Sequence, residues 1–113
     1  MARPRVAHSM AYVTAPDRKT ARTIARAVIE GRLAACANAW PVESTYRWRG
    51  ARHEAAEFVI VFKTRRALIP KLIAAVRRIH PDEVPCIVSY RMDAAFPAYL
   101  DWIDAETAEI AHR

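Results

Sequence analysis

The stretch AACANAWPVESTYRWRGARHEAAEFVIVFKT, Ala34 to Thr64, reads as one very long β-hairpin. Its first limb runs from Ala34 to Trp48, and Thr45, Tyr46 and Trp48 give it the β-branched and aromatic content of a strand. The second limb, Glu57 to Thr64, is apolar at both parities from Phe58 to Phe62, as a strand covered on both faces should be. Between them Arg49-Gly50-Ala51-Arg52 supplies a turn, with Gly50 able to take a positive φ at no steric cost. Pro41 lacks an N–H, which predicts a bulge or bend in the first limb. At about 3.3 Å per residue that limb could extend about 45 Å, more than twice a usual strand. A hairpin that overreaches so small a domain is expected to pair with another subunit.

The whole chain has 113 residues, a length that predicts a single domain over 1–113 with its core at about 6–105 and short flexible ends. It is 53% hydrophobic and 27% charged, with a formal net charge of +6 and no low-complexity run or internal repeat. Its basic residues never run beyond two or three, so they read as a solvated surface, and nucleic acid is not expected as a partner. No apolar run approaches the roughly 20 residues of a membrane span, and the basic first residues lack a signal peptide's apolar segment. Two cysteines, Cys36 and Cys86, make neither a disulfide framework nor a zinc spacing. The expected location is the cytoplasm.

Around the hairpin the chain alternates strands and helices. Val6 to Thr14 reads as a buried first strand. Thr14 or Asp17 can cap the helix that follows, whose Ala21, Ile24, Ala25, Val28 and Ile29 share one face, with Arg18, Lys19, Arg22, Arg26 and Glu30 mostly on the other as a basic stripe. After Thr64 a second amphipathic helix starts near Arg66 or Ala67, with Ile69, Leu72, Ile73, Val76 and Ile79 on its buried side and Pro70 in its first turn. His80-Pro81 stops it, Cys86 to Tyr90 forms a fourth strand, and Pro97 opens a last helix with Tyr99, Leu100, Trp102 and Ile103 for packing. The order βαββαβ plus a C-terminal helix predicts an α+β, ferredoxin-like sandwich with its helices on one face of the sheet. The other face needs a cover, and neighbouring subunits can provide it.

The chain resembles the divalent-cation tolerance (CutA) family in six segments, in the family's order and spacing. These are VTAPD at 13–17, RLAACAN at 32–38, YRWRG at 46–50, FKT at 62–64, HPDEVP at 80–85 and YLDW at 99–102. The resemblance covers about residues 6–105. It implies a ferredoxin-like subunit, a tight homotrimer with hairpins paired between subunits, a fold shared with PII-type signalling trimers, and a role in copper or divalent-metal tolerance. Asp82 stands where the family often has Tyr, and Val13 and Ile79 stand where some relatives carry Cys and His. Of a metal site built from that Cys and two histidines, only His80 remains.

His80 followed by Asp82 and Glu83 offers an imidazole and two carboxylates suited to Cu(II) or another divalent cation, with Cys36 as a further candidate ligand. The competing reading has His80 interacting with the carbonyls at the helix end. Cys36 and Cys86 read equally as small buried hydrophobes. Lys63 interrupts an apolar strand and needs a partner, such as Glu83 or a neighbouring subunit's carboxylate. With Tyr46, Trp48 and Glu83 it could line an inter-subunit cleft for a small anionic ligand; the alternative is an interface ion pair with aromatic packing. A Gly-rich phosphate loop, a nucleophile elbow and a paired-histidine motif are all absent from the sequence, so neither an enzyme nor an organic cofactor is expected.

Overall fold

The computed structural model describes residues 7–109, so Val6 and the terminal residues expected to be flexible lie outside it. Strands β1 (His8–Ala15), β2 (Cys36–Trp48), β3 (Ala51–Arg65) and β4 (Ile87–Arg91) alternate with helices α1 (Arg18–Glu30) and α2 (Ile69–Ile79), and α3 (Pro97–Glu106) closes the series. All pairings are antiparallel, in the order β2-β3-β1-β4. With two crossovers over one face, this is the ferredoxin-like βαββαβ arrangement expected.

The hairpin dominates the shape, and the molecule is 55 Å in its longest dimension. Pairing runs without a break from Cys36↔Lys63 to Trp48↔Ala51, so β3 begins well before Glu57 and the turn shrinks to Arg49 and Gly50. Both turn residues have positive φ, 50° and 80°, the combination whose twist matches the flanking strands. The bulge expected at Pro41 does not form, since Pro41 sits opposite Phe58 in unshifted register. The reason is sheet order. As an edge strand, β2 has one side with no ladder to satisfy, and a proline nitrogen facing that side costs no hydrogen bond.

Alternation splits the sheet into two faces. Ala11, Val13 and Ala15 of β1, with Ile60 and Phe62 of β3, are buried against Ala21, Ile24 and Val28 of α1 and Leu72 and Val76 of α2. Asp17 starts α1 by accepting from the Thr20 backbone N–H at 2.7 Å. Arg66–Leu68 forms a single 3-10 turn before α2, which places Pro70 in the first α-helical turn, where its missing N–H is harmless. Thr64 is buried, and its hydroxyl donates to the Leu33 carbonyl at 2.7 Å, tying β3 to the segment that leads into β2.

Three apolar assignments change. Ile73 and Ile79 of α2 are exposed, because the helix rests on Ile69, Leu72 and Val76, and Trp102 of α3 is exposed as well. The third helix is also not on the expected face. His8 and Arg65 belong to the second face, and they bond to Asp104 (2.8 Å) and Thr107 (2.9 Å), so α3 covers one end of that face. Arg32, at φ 57°, helps to hold it there, its guanidinium donating to the carbonyls of Ala105 and Glu106 at the end of α3. Beyond α3 the second face is open, with Trp40, Val88 and Tyr90 exposed and Tyr12 edge-on to Tyr90.

Candidate functional site

Past the open part of the second face, the distal hairpin and the loop after α2 enclose a cleft of about 750 Å³. Tyr46 and Trp48 form its hairpin wall, Asp82, Glu83 and Cys86 its loop wall, and Thr14 lies between them. Glu43 and Glu57 line it from the middle of the hairpin. No Lys, Arg or His side chain lines it among the described residues. At its rim Arg49 donates to Glu83 at 2.8 Å, joining hairpin tip to loop, and the same guanidinium lies 5.2 Å above the Trp48 ring. Both partners of that ion pair are well exposed, so it contributes less to stability than to holding the rim in place. Tyr46 stacks on His53, its cross-strand partner, at 5.6 Å.

His80 is buried beside the cleft rather than in it. Its Nε2 donates to the Thr14 carbonyl at 2.6 Å, while Nδ1 accepts from the Asp82 backbone N–H at 3.1 Å. Those two bonds assign the neutral Nε2–H tautomer, so the 4.0 Å approach of the Asp82 carboxylate to Nδ1 is no ion pair. Neither ring nitrogen is left for a metal unless an internal bond breaks. Its partner is the strand carbonyl of Thr14, not the helix-end carbonyls.

Cys36 lies elsewhere, half-buried at the start of β2. There its thiol sits against Tyr99, whose phenol is pushed above its ordinary value chiefly by burial and further by that thiol. Lys63 is paired across from Cys36 and donates to Asn38 Oδ1, not to Glu83. Of the residues expected to form a ligand cleft, the structure brings Tyr46, Trp48 and Glu83 together and leaves Lys63 at the far end of the hairpin. Of the expected metal ligands it gathers Asp82 and Glu83, with His80 engaged and Cys36 apart. Among the described residues no three His, Cys, Asp or Glu side chains are placed to hold a metal ion. A resident, preformed metal centre within one chain does not fit these residues.

Glu43, Glu57 and Cys86 were not singled out for the cleft from sequence. Glu57 had a signal, because folding the hairpin about Gly50 sets it opposite Val42 and so on the face of Tyr46 and Trp48, whereas the same register puts Glu43, opposite Ala56, on the other face of the ribbon. Cys86 had none: it is exposed at the cleft, not buried in a strand, and lies just outside β4.

Residues 9–106 match the profile of the family described as CutA1 divalent ion tolerance protein. Mouse Protein CutA is 40% identical over 105 residues, 92% of this chain, and the chain spans 59% of that relative's length. The structure of the periplasmic divalent cation tolerance protein CutA from Archaeoglobus fulgidus aligns with a TM-score of 0.86 at 34% identity, over 88% of this chain and 97% of that one. CutA1 from Oryza sativa aligns with a TM-score of 0.90 at 32% identity, over 93% and 97%. By profile, by sequence and by fold, the chain belongs to the CutA1 divalent ion tolerance family.

Proposed function

We propose that this chain is a non-enzymatic, cytoplasmic homotrimer that supports divalent-cation tolerance by binding cations weakly at the acidic cleft. The observation that carries the reading is the cleft's lining, in which Glu57 shares the hairpin face of Tyr46 and Trp48 and meets Asp82 and Glu83 of the loop, the last of these paired with Arg49 at the rim. Carboxylates gathered at one concave site raise the local concentration of a divalent cation such as Cu(II). Asp82 and Glu83 are the inner ligands in this reading, and the absence of a preformed three-ligand cluster among the described residues accounts for weak binding. An anionic ligand of the PII type meets repulsion in the same cleft, and Lys63, the cation that was to hold it, is engaged by Asn38.

Two features support the trimer. The second face exposes Trp40 at one edge of the sheet, on open strand β2, and Val88 and Tyr90 at the other, on open strand β4. A heterologous contact of edge to edge closes into a ring when the rotation permits.

Native mass spectrometry of the untagged protein, before and after adding Cu(II), tests both parts. The expected result is a mass of three chains that takes up copper in steps of one per chain, with uptake weakened by Asp82→Asn combined with Glu83→Gln. A one-chain mass sinks the trimer. Equal uptake by the variant sinks the cleft.

A further inference from the structure

At the base of the hairpin, far from the acidic cleft, a thiol and an amine are placed against each other. Cys36 and Lys63 stand directly opposite at the first rung of the β2–β3 ladder, so both side chains rise from the second face of the sheet. They also share an acceptor. The Cys36 thiol lies 3.5 Å from Asn38 Oδ1, and the Lys63 ammonium donates to the same oxygen. Two donors on one carbonyl oxygen sit about 5 Å apart, and the flexible lysine stem can close that gap. Tyr99 of α3 also touches the thiol. Cys36 and Lys63 are half-buried, so a small solute reaches both.

A thiol that served only as a small hydrophobe would be packed among apolar side chains. Cys36 instead has an ammonium, an amide and a phenol around it. No carboxylate lies within ion-pair distance of Lys63 among the described residues, where the three close pairs are all elsewhere, so giving up its proton breaks no salt bridge. The chain's only other thiol, Cys86, lies beside β4, and β2 and β4 are the two edges of the sheet. An oxidised Cys36 therefore has no thiol within its own chain to resolve it. The nucleophile at hand is the Lys63 amine.

We propose that Cys36 and Lys63 form a peroxide-responsive covalent clamp, a reversible sulfenamide bond that joins the base of β2 to β3. In the first step the Cys36 thiolate attacks hydrogen peroxide. An S–O bond forms, the O–O bond breaks, and the departing hydroxide takes a proton from the Lys63 ammonium and leaves as water. Sulfur has then lost two electrons to the peroxide, and Lys63 is a neutral amine beside a sulfenic acid. In the second step that amine attacks the sulfur. The S–N bond forms, the S–O bond breaks, and the hydroxyl leaves as water with a proton from the nitrogen. A dithiol returns the two electrons and restores thiol and amine. The clamp lies at the rung farthest from Gly50, so it closes the ribbon at its open end as the turn closes the other. It rests on neither the cleft nor the trimer.

The test is intact-mass and peptide mass spectrometry of the full chain carrying Cys86→Ser, which leaves Cys36 as its sole thiol, titrated with hydrogen peroxide. The expected product has lost two hydrogens, about 2 Da, with the Cys36 and Lys63 peptides joined. Iodoacetamide no longer labels it, and dithiothreitol restores the original mass. Lys63→Arg keeps a cation but cannot supply the amine. It is expected to stop at the sulfenic acid, one oxygen heavier on the Cys36 peptide and trapped by dimedone. Lys63→Gln is expected to do the same and serves if the Arg variant does not fold. Identical products with and without Lys63 overturn the proposal, whether an oxygen gain or a two-hydrogen loss, the latter placing the bond on a backbone nitrogen. A disulfide between two chains, or Cys36 left unmodified in excess peroxide, overturns it as well.

Discussion

His80 donates from Nε2 to the carbonyl oxygen of Thr14 across 2.6 Å, and so fastens the end of α2 to the end of β1. Through Nδ1 the same ring holds the Asp82 N–H that begins the cleft's loop wall. His80→Ala leaves the Thr14 carbonyl and the Asp82 N–H without their shared partner and is expected to lower stability by about 2–3 kcal/mol. Urea titration at fixed protein concentration measures this, and an unchanged midpoint contradicts the bonding described.

Asp17 is held below its ordinary carboxyl value by the Thr20 backbone N–H first, then by the Thr20 side chain, with Lys19 adding a smaller pull. A depressed folded pKa means the cap's contribution is complete above the unfolded value and is lost as pH falls through the folded one. Asp17→Ala is expected to melt below the wild type at neutral pH, and the gap should close on acidification below pH 3.8. Asp17→Asn, which can still cap, is expected to narrow the gap at neutral pH. A gap between wild type and Asp17→Ala that persists at low pH shows that something other than the ionised cap is responsible.

Tyr99 should ionise above the exposed tyrosines in a titration followed by ultraviolet absorbance, because burial and then the Cys36 thiol disfavour its phenolate. Cys36→Ala is expected to bring it part of the way down and no further, since burial is the larger cause. If the substitution leaves the titration unmoved, the thiol and phenol are not neighbours in solution.

Gly50 has φ +80°, and a Cβ built there meets nothing within 4 Å. Gly50→Ala therefore meets no clash, and its cost of about 1 kcal/mol is the backbone strain of an L-residue held at positive φ. Gly50→Asn should recover part of it, since Asn tolerates the left-handed region. Equal stability of all three proteins implies that the turn is not of this type.

The hairpin and its turn were legible because cross-strand pairing is symmetric about one point and a single glycine marks it. The Asp17 cap and the Pro70 position were legible for a similar reason, since each rests on chemistry within one helical turn. Pro41 was misjudged because its cost depends on whether β2 is central or at an edge, which only the sheet order decides. Ile73 and Ile79 satisfy a helical period yet lie just off the buried stripe, whose width is set by what the helix rests on. Lys63 and Glu83 were paired on charge alone; separated along a 55 Å molecule, they found Asn38 and Arg49 instead. Cys86 was assigned to a strand that begins one residue later.

The unshifted β2–β3 ladder also sets how the chain reaches its fold. Each rung next to Gly50 closes a short loop, and every later rung adds to one already made, so the ribbon can zip from its tip at little entropic cost. The pairs Ala15↔Phe58 and His8↔Arg65 join residues far apart along the chain and carry the slow step. If the ribbon is formed before that step, Gly50→Ala slows refolding and leaves the unfolding limb of a chevron plot almost unchanged. The opposite partition would place the hairpin's assembly after the barrier, as the last part of the molecule to form.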